Sequence, residues 1–164
     1  MGLRAIFRPG MRAYFIPLVA GLVLSVSAFL PWVIVNDVVQ TGVPDMPGLW
    51  IAGLGAIAAL LATLSLITRK NSRHPLLVVG LMALGILFLA WRVMPRLAGE
   101  HARTVSEALA IVDNTPMGTR PTVLAGSGIY LGLAAAVVIV GFGLTIVVKR
   151  TTKAYVVADP DDDV

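Results

Sequence analysis

The sequence predicts an all-α integral membrane protein with four antiparallel transmembrane helices and a short amphipathic helix in the second outer loop. Three observations carry this reading. The 164 residues are 57% hydrophobic and only 13% charged, where soluble domains carry about 25% charged residues. The apolar residues fall into four long stretches, and the Lys and Arg residues gather at the ends of those stretches. Lipid is therefore the expected solvent for a single membrane domain covering residues 1–164.

The amino-terminal flank carries Arg4, Arg8 and Arg12, a basic segment that orients the first span or lies as an interfacial helix interrupted by Pro9-Gly10. Ile6 occupies the position where a myristoylation signal needs Ser or Thr. Span one is expected over 14–35, with Pro17 in its first turn and Pro31 kinking or ending it. Val26-Ser27-Ala28 would pass as a signal-peptide cleavage site, but the apolar run continues beyond it, so the span is expected to be retained. Residues 36–47 read as a short polar turn. Span two is expected over 49–67, rich in Ala and Gly, followed by a basic connector with Arg69, Lys70 and Arg73.

Span three is expected over 76–94, with Arg92 snorkelling outward. In the loop that follows, Val105, Ala108, Leu109 and Val112 recur at the spacing of one helical face. Thr104 and Glu107 suit a capping box, which predicts a separate amphipathic helix over 104–113. The longest apolar run, 122–148, is span four, and 149–164 form a tail that ends in acidic residues.

Nine of the 13 Lys and Arg residues (Arg4, Arg8, Arg12, Arg69, Lys70, Arg73, Lys149, Arg150 and Lys153) fall on one side of this arrangement. That side is the cytoplasm by the positive-inside rule, with both termini on it. Trp32, Trp50, Trp91 and Tyr130 all fall on the other side, as half of an interfacial aromatic belt would. Missing cysteine and small, arginine-flanked spans point to a bacterial inner membrane.

Chemistry is harder to find than topology. No Asp, Glu, Lys or His lies within the expected spans, which argues against proton-coupled transport. The hydroxyls of Ser25, Ser27, Thr63, Ser65 and Thr145 are expected to bond back to helix carbonyls. His74 and His101 fall on opposite sides of the membrane and cannot share a metal. With no cysteine, there is no thiolate nucleophile or Cys-based metal site. No catalytic, metal or cofactor-binding set is expected; bound lipids are, and contact with a quinone or pigment is left open. Nucleic acid is not expected, because the positive charge is spread along the span ends. Arg92 and Arg96, one helical turn apart, are the candidate contact for a lipid phosphate, a quinone headgroup or a partner's carboxylate.

Leu30-Pro31-Trp32, followed by Gly48-Leu49-Trp50, resembles the first extracellular segment of claudins, which carry a Trp, then Gly-Leu-Trp, then paired cysteines. Gly53 stands where the first of those cysteines would be, and span two begins at once. The loop is therefore not expected to build a claudin-type sheet, and the function is not carried over.

Small residues form stripes at four-residue spacing: Gly128, Gly132 and Ala136 in span four, Gly55 and Ala59 in span two, Gly21 and Ser25 in span one. Such stripes let helices approach closely, within the bundle or against a partner subunit. Gly132→Leu is the substitution singled out to break assembly. The function expected from these features is a non-catalytic membrane subunit that scaffolds a larger complex, an energy-converting one by prevalence. A small homo-oligomeric channel or transporter for an uncharged solute is the alternative.

Overall fold

The structure, a computed structural model, describes residues 12–68, 72–114 and 121–151, the side chains of 12 and 146–151 excepted. The expected features of the amino-terminal flank before residue 12, of Arg69 and Lys70, and of the tail beyond residue 151 lie outside the described residues. After a short 3-10 turn at Arg12–Tyr14 come helix α1 (Phe15–Ser27), strands β1 (Pro31–Val35) and β2 (Val38–Thr41), and helix α2 (Met46–Thr68). Helix α3 (Arg73–Val112), strand β3 (Val123–Ala125) and helix α4 (Ser127–Thr151) complete the order.

The four helices form a ring in which each packs on its chain neighbours and α4 closes back on α1. Leu24, Ile51, Leu76, Leu87, Ile129 and Ile139 fill its interior and are completely buried. Three helices, α2, α3 and α4, are long and apolar enough to cross a membrane; α1, with 13 residues, is not, which corrects the expected four transmembrane helices. Large apolar side chains are exposed around the ring: Ile16 and Leu22 on α1, Leu60 on α2, Leu81 on α3, Val137 on α4. Soluble monomers rarely expose contiguous apolar surface on this scale, so the band fits a membrane protein.

The all-α expectation requires correction. A three-stranded antiparallel sheet, in the order β2-β1-β3, sits at one end of the bundle. Three of the expected boundaries change because of it. The stretch 14–35 is not one helix: α1 stops at Ser27, and the next residues turn through bonds from the Ala28, Phe29 and Leu30 amides to carbonyls three residues back. Pro31 explains the stop, because proline pushes the preceding residue out of the α region, and Trp-Val-Ile-Val then favours extension. Residues 36–47 are not merely a turn; they contain β2. The fourth apolar run opens as β3 before α4 begins. Strand β3 arrives from the second loop to complete the sheet begun by the first.

The β1–β2 hairpin turns on two residues, Asn36 (φ 46) and Asp37 (φ 67), both left-handed. Two successive left-handed residues suit the twist of a two-residue hairpin, and Asn and Asp are the non-glycine residues that tolerate them best. Asn36 also accepts from the Thr122 amide at 3.0 Å through its side-chain oxygen, and its own amide donates to the Thr122 carbonyl at 3.1 Å. It therefore ties the hairpin to β3. Asn36→Ala is expected to cost about 1–2 kcal/mol, from the left-handed penalty plus one lost bond. Thermal unfolding in detergent micelles measures it. Asn36→Gly, which keeps the backbone and loses only the bond, should cost less; an equal loss would refute the backbone account.

Helix α3 corrects a further expectation. The predicted third span and the predicted amphipathic helix are one continuous helix with Pro95 inside it. Pro95 has no amide for the Trp91 carbonyl, yet the helix continues. Beyond it Ala98 and Ala102 pack on the core, and Gly99 backs onto Val123 of β3. Thr104 is not a cap: its hydroxyl donates to the Glu100 carbonyl at 3.0 Å in mid-helix. Glu107 instead accepts from Arg103 Nε at 2.7 Å, and this bond and charge raise the guanidinium pKa above its usual value. At 1.5 Å per residue α3 is ~60 Å long, more than a whole bilayer with its headgroups.

Candidate functional site at the sheet-capped end

Trp32 organises this end. The pairing Pro31↔Thr41 followed by Val33↔Gln40 leaves Trp32 as the extra residue of a β-bulge. A regular strand would send Trp32 and Val33 to opposite faces; the bulge sends both inward. The indole is completely buried and donates from Nε1 to the Ser27 carbonyl at 2.9 Å. A Cβ at Gly42 would fall 2.7 Å from the indole nitrogen, and one at Gly128 would fall 2.8 Å from Cδ1, so the ring lies in a slot with a glycine on each side. The Gly126 amide donates to the Trp32 carbonyl at 2.7 Å, joining β1 to the start of α4. Trp32 is therefore a plug between sheet and bundle, a correction to its expected place in a surface belt. Trp50, Trp91 and Tyr130 are exposed at this same end.

The small-residue stripes are used inside the chain. A Cβ on Gly21 would meet the Ala59 amide nitrogen at 2.7 Å, and one on Gly55 would meet the Ser25 amide nitrogen at 2.5 Å, so α1 and α2 touch backbone to backbone. Ser25 Oγ donates across that contact to the Ala52 carbonyl at 2.9 Å. Gly128 backs onto the Ser27 and Pro31 carbonyls, and Gly132 onto the methyls of Leu87; Ala136 is fully buried. Of the two uses the stripes could serve, packing within the bundle is what these contacts realise. Ser25 thus departs from the expected bond back to its own helix, and Ser65 is a second exception. Ser27, Thr63 and Thr145 donate to their own helices, and Ser65 donates to Ser72 at 2.5 Å. At the opposite end, Tyr14 meets Phe142 edge-on at 5.1 Å and the Arg73 guanidinium stands 5.5 Å over the same ring.

Two surfaces at the sheet end remain open. The first is the far part of α3. Past Pro95 it runs ~25 Å further, and the face formed by Val105, Ala108, Leu109 and Val112 points away from the protein. Exposure reaches 77% at Ile111 and 80% at Val112. The second is a crevice of about 860 Å³ between the start of α2 and the middle of α3. Met46 and Trp50 form its α2 wall, Met82, Ile86, Leu89 and Val93 much of its α3 wall, and Asp45 its only acidic lining. Arg92 and Arg96 are exposed on α3, and neither takes part in an ion pair among the described residues.

Apolar side chains make up most of both surfaces, with a few charges at their edges. Among the described residues no three His, Asp or Glu side chains converge on a possible metal position. His74 and His101 lie on the one helix α3, ~40 Å apart along its axis. Comparison with protein families, with curated proteins and with solved structures finds no match for this chain.

Sequence reasoning missed the hairpin and the Trp32 plug. Both had a signal: two β-branched runs separated by Asn36-Asp37. The crevice had none, because it opens between two helices, α2 and α3.

Proposed function

We propose that the chain is a non-catalytic, four-helix protein of a bacterial inner membrane, with both termini cytoplasmic, acting as an accessory subunit of a larger membrane complex. The partner docks at the sheet-capped, outer end. The observation that carries this reading is the far part of α3. Leu109, Ile111 and Val112 are exposed beyond the reach of a bilayer that covers the helix from its start, and a protein surface is the natural cover for them. The glycine stripes, spent on internal packing, no longer serve as the docking faces. The orientation rests on the Lys and Arg distribution. A pore through the chain itself is disfavoured by the completely buried Leu24, Ile51, Leu87, Ile129 and Ile139 along the bundle interior.

The test is purification of the tagged full-length chain in mild detergent, with mass spectrometry of what accompanies it. A defined set of membrane proteins is expected, and Ile111→Glu with Val112→Glu should remove it without lowering the thermal midpoint. A partner-free monomer, or partners retained by the double variant, would refute the reading.

A further inference from the structure

We propose that the crevice between α2 and α3 binds one amine-bearing phospholipid, with its chains along Trp50, Met82, Ile86 and Leu89, its phosphate on Arg96 and its ammonium on Asp45. The inference rests on the membrane reading and is independent of the accessory-subunit role.

Dimensions come first. The α3 wall runs from Met82 to Leu97, which is ~22 Å of helix. One leaflet with its headgroup layer is half of a ~40–45 Å bilayer, the same height. The volume, about 860 Å³, lies within the ~300–1,000 Å³ of ligand-sized sites. Its walls are almost wholly apolar, and Met46, Met82 and Met94 are the unbranched, adaptable side chains that accommodate a flexible chain.

Charge then selects the headgroup. Asp45 lines the crevice just ahead of α2, at the sheet-capped end. Arg96 is not itself in the lining; it follows Val93, which is, by three residues, so helical geometry sets Arg96 at the outer flank of that wall, at the same end. Neither charge is in an ion pair among the described residues. A headgroup with a phosphate and a primary ammonium satisfies both. An anionic glycerol headgroup satisfies Arg96 and opposes Asp45, and a quaternary ammonium offers Asp45 no N–H donor. The crevice between α1 and α4, about 550 Å³, supplies the contrast. Among the described residues its lining, with Phe15, Val19, Ala134 and Val138, carries no charged group.

The delipidated full-length protein is offered phosphatidylethanolamine, phosphatidylcholine and phosphatidylglycerol with identical chains, and retained lipid is read by native mass spectrometry. One phosphatidylethanolamine is expected, favoured roughly tenfold over phosphatidylglycerol, the scale of one hydrogen bond to a charged group. Asp45→Asn should erase that preference while leaving phosphatidylglycerol bound. Arg96→Gln should weaken retention of all three lipids, and Arg92→Gln, further round the helix, should change nothing. Val93 is 43% exposed, so Val93→Trp should fold with an unchanged thermal midpoint and lose the lipid by filling the crevice. Equal retention of the three lipids, an Asp45→Asn variant that keeps the preference, or lipid retained by Val93→Trp would overturn the proposal. The protein partners captured in mild detergent are read separately, so either reading can fail alone.

Discussion

Gly55→Leu is expected to leave no folded bundle. A Cβ at this position would stand 2.5 Å from both the amide nitrogen and Oγ of Ser25 and 2.7 Å from the Gly21 carbonyl oxygen. Two of those three atoms are backbone, so no rotamer change relieves the clash; α1 must move away from α2. That separation also breaks the bond from Ser25 Oγ to the Ala52 carbonyl. In a membrane, where close packing and interhelical hydrogen bonds drive association, both are lost together. The cost should exceed the ~1–3 kcal/mol of ordinary overpacking. Size-exclusion profile and thermal midpoint in detergent measure it. Gly53→Leu is the control: it lies two residues away on the same helix, its Cβ would meet nothing within 4 Å, and it should fold as well as the parent. If both variants behave alike, the α1–α2 contact is not what holds the bundle. Gly132, the position the sequence favoured, is a lesser site. Its neighbours are the Leu87 methyls and the Ser27 hydroxyl, side-chain ends that can shift.

Trp32→Ala is expected to cost about 3–5 kcal/mol, the range for removing a buried large aromatic. The indole is completely buried, and its loss removes the shorter of two bonds to the Ser27 carbonyl, leaving the Leu30 amide at 3.3 Å. Because Trp32 joins the sheet to the bundle, the damage should be local first. The β1–β2 hairpin should become sensitive to protease at a temperature where the helices still give their full circular dichroism signal. Trp32→Phe keeps most of the apolar contact and loses the donor, and should cost about 1–2 kcal/mol. A hairpin equally resistant in Trp32→Ala and in the parent would show that Trp32 is not the plug.

Much of the helical architecture was legible. Helix α2 begins three residues before the expected start, at Met46, and ends one after the expected end, at Thr68. The stripes of Gly21 and Gly55 mark the backbone contact of α1 with α2, since the spacing reports the packing face directly, whereas the equally close approach of Gly143 to Leu77 lies outside any predicted stripe. The errors cluster at the sheet end, where apolar composition and secondary structure part company. A β-branched strand buried against a bundle is as apolar as the end of a transmembrane helix, so hydropathy read 14–35 as one span. Only the local signs, Pro31 and the Asn36-Asp37 turn, distinguished them. The expected end of span three at residue 94 erred in the opposite direction. Pro95 leaves the Trp91 carbonyl without an amide, and the packing of Ala98, Ala102 and Gly99 against the core and β3 accompanies the helix through it.

The amphipathic face of α3 shows the same limit for function. Val105, Leu109 and Val112 share a face because 3.6 residues make a turn, and that is local. Whether the face turns toward the protein or away depends on which side of α3 meets β3, and β3 comes from elsewhere in the chain. The candidate lipid site is legible only in pieces: Arg96 stood out as a charge at a span end, and Asp45 was one of several scattered carboxylates. Their relation to one crevice needs α2 and α3 side by side.

By itself the sequence determined that four apolar stretches alternate with charged ends, and which small-residue faces suit close packing. These follow from composition and period, properties of neighbours along the chain. The tertiary structure alone decided that strands from two separate loops close one end of the bundle. It also decided that Trp32 points into the protein, and that a crevice opens between α2 and α3 beside Asp45. Those outcomes depend on pairings between residues far apart in sequence, where the hydrogen bonds of a strand and the room for an indole are supplied by other segments.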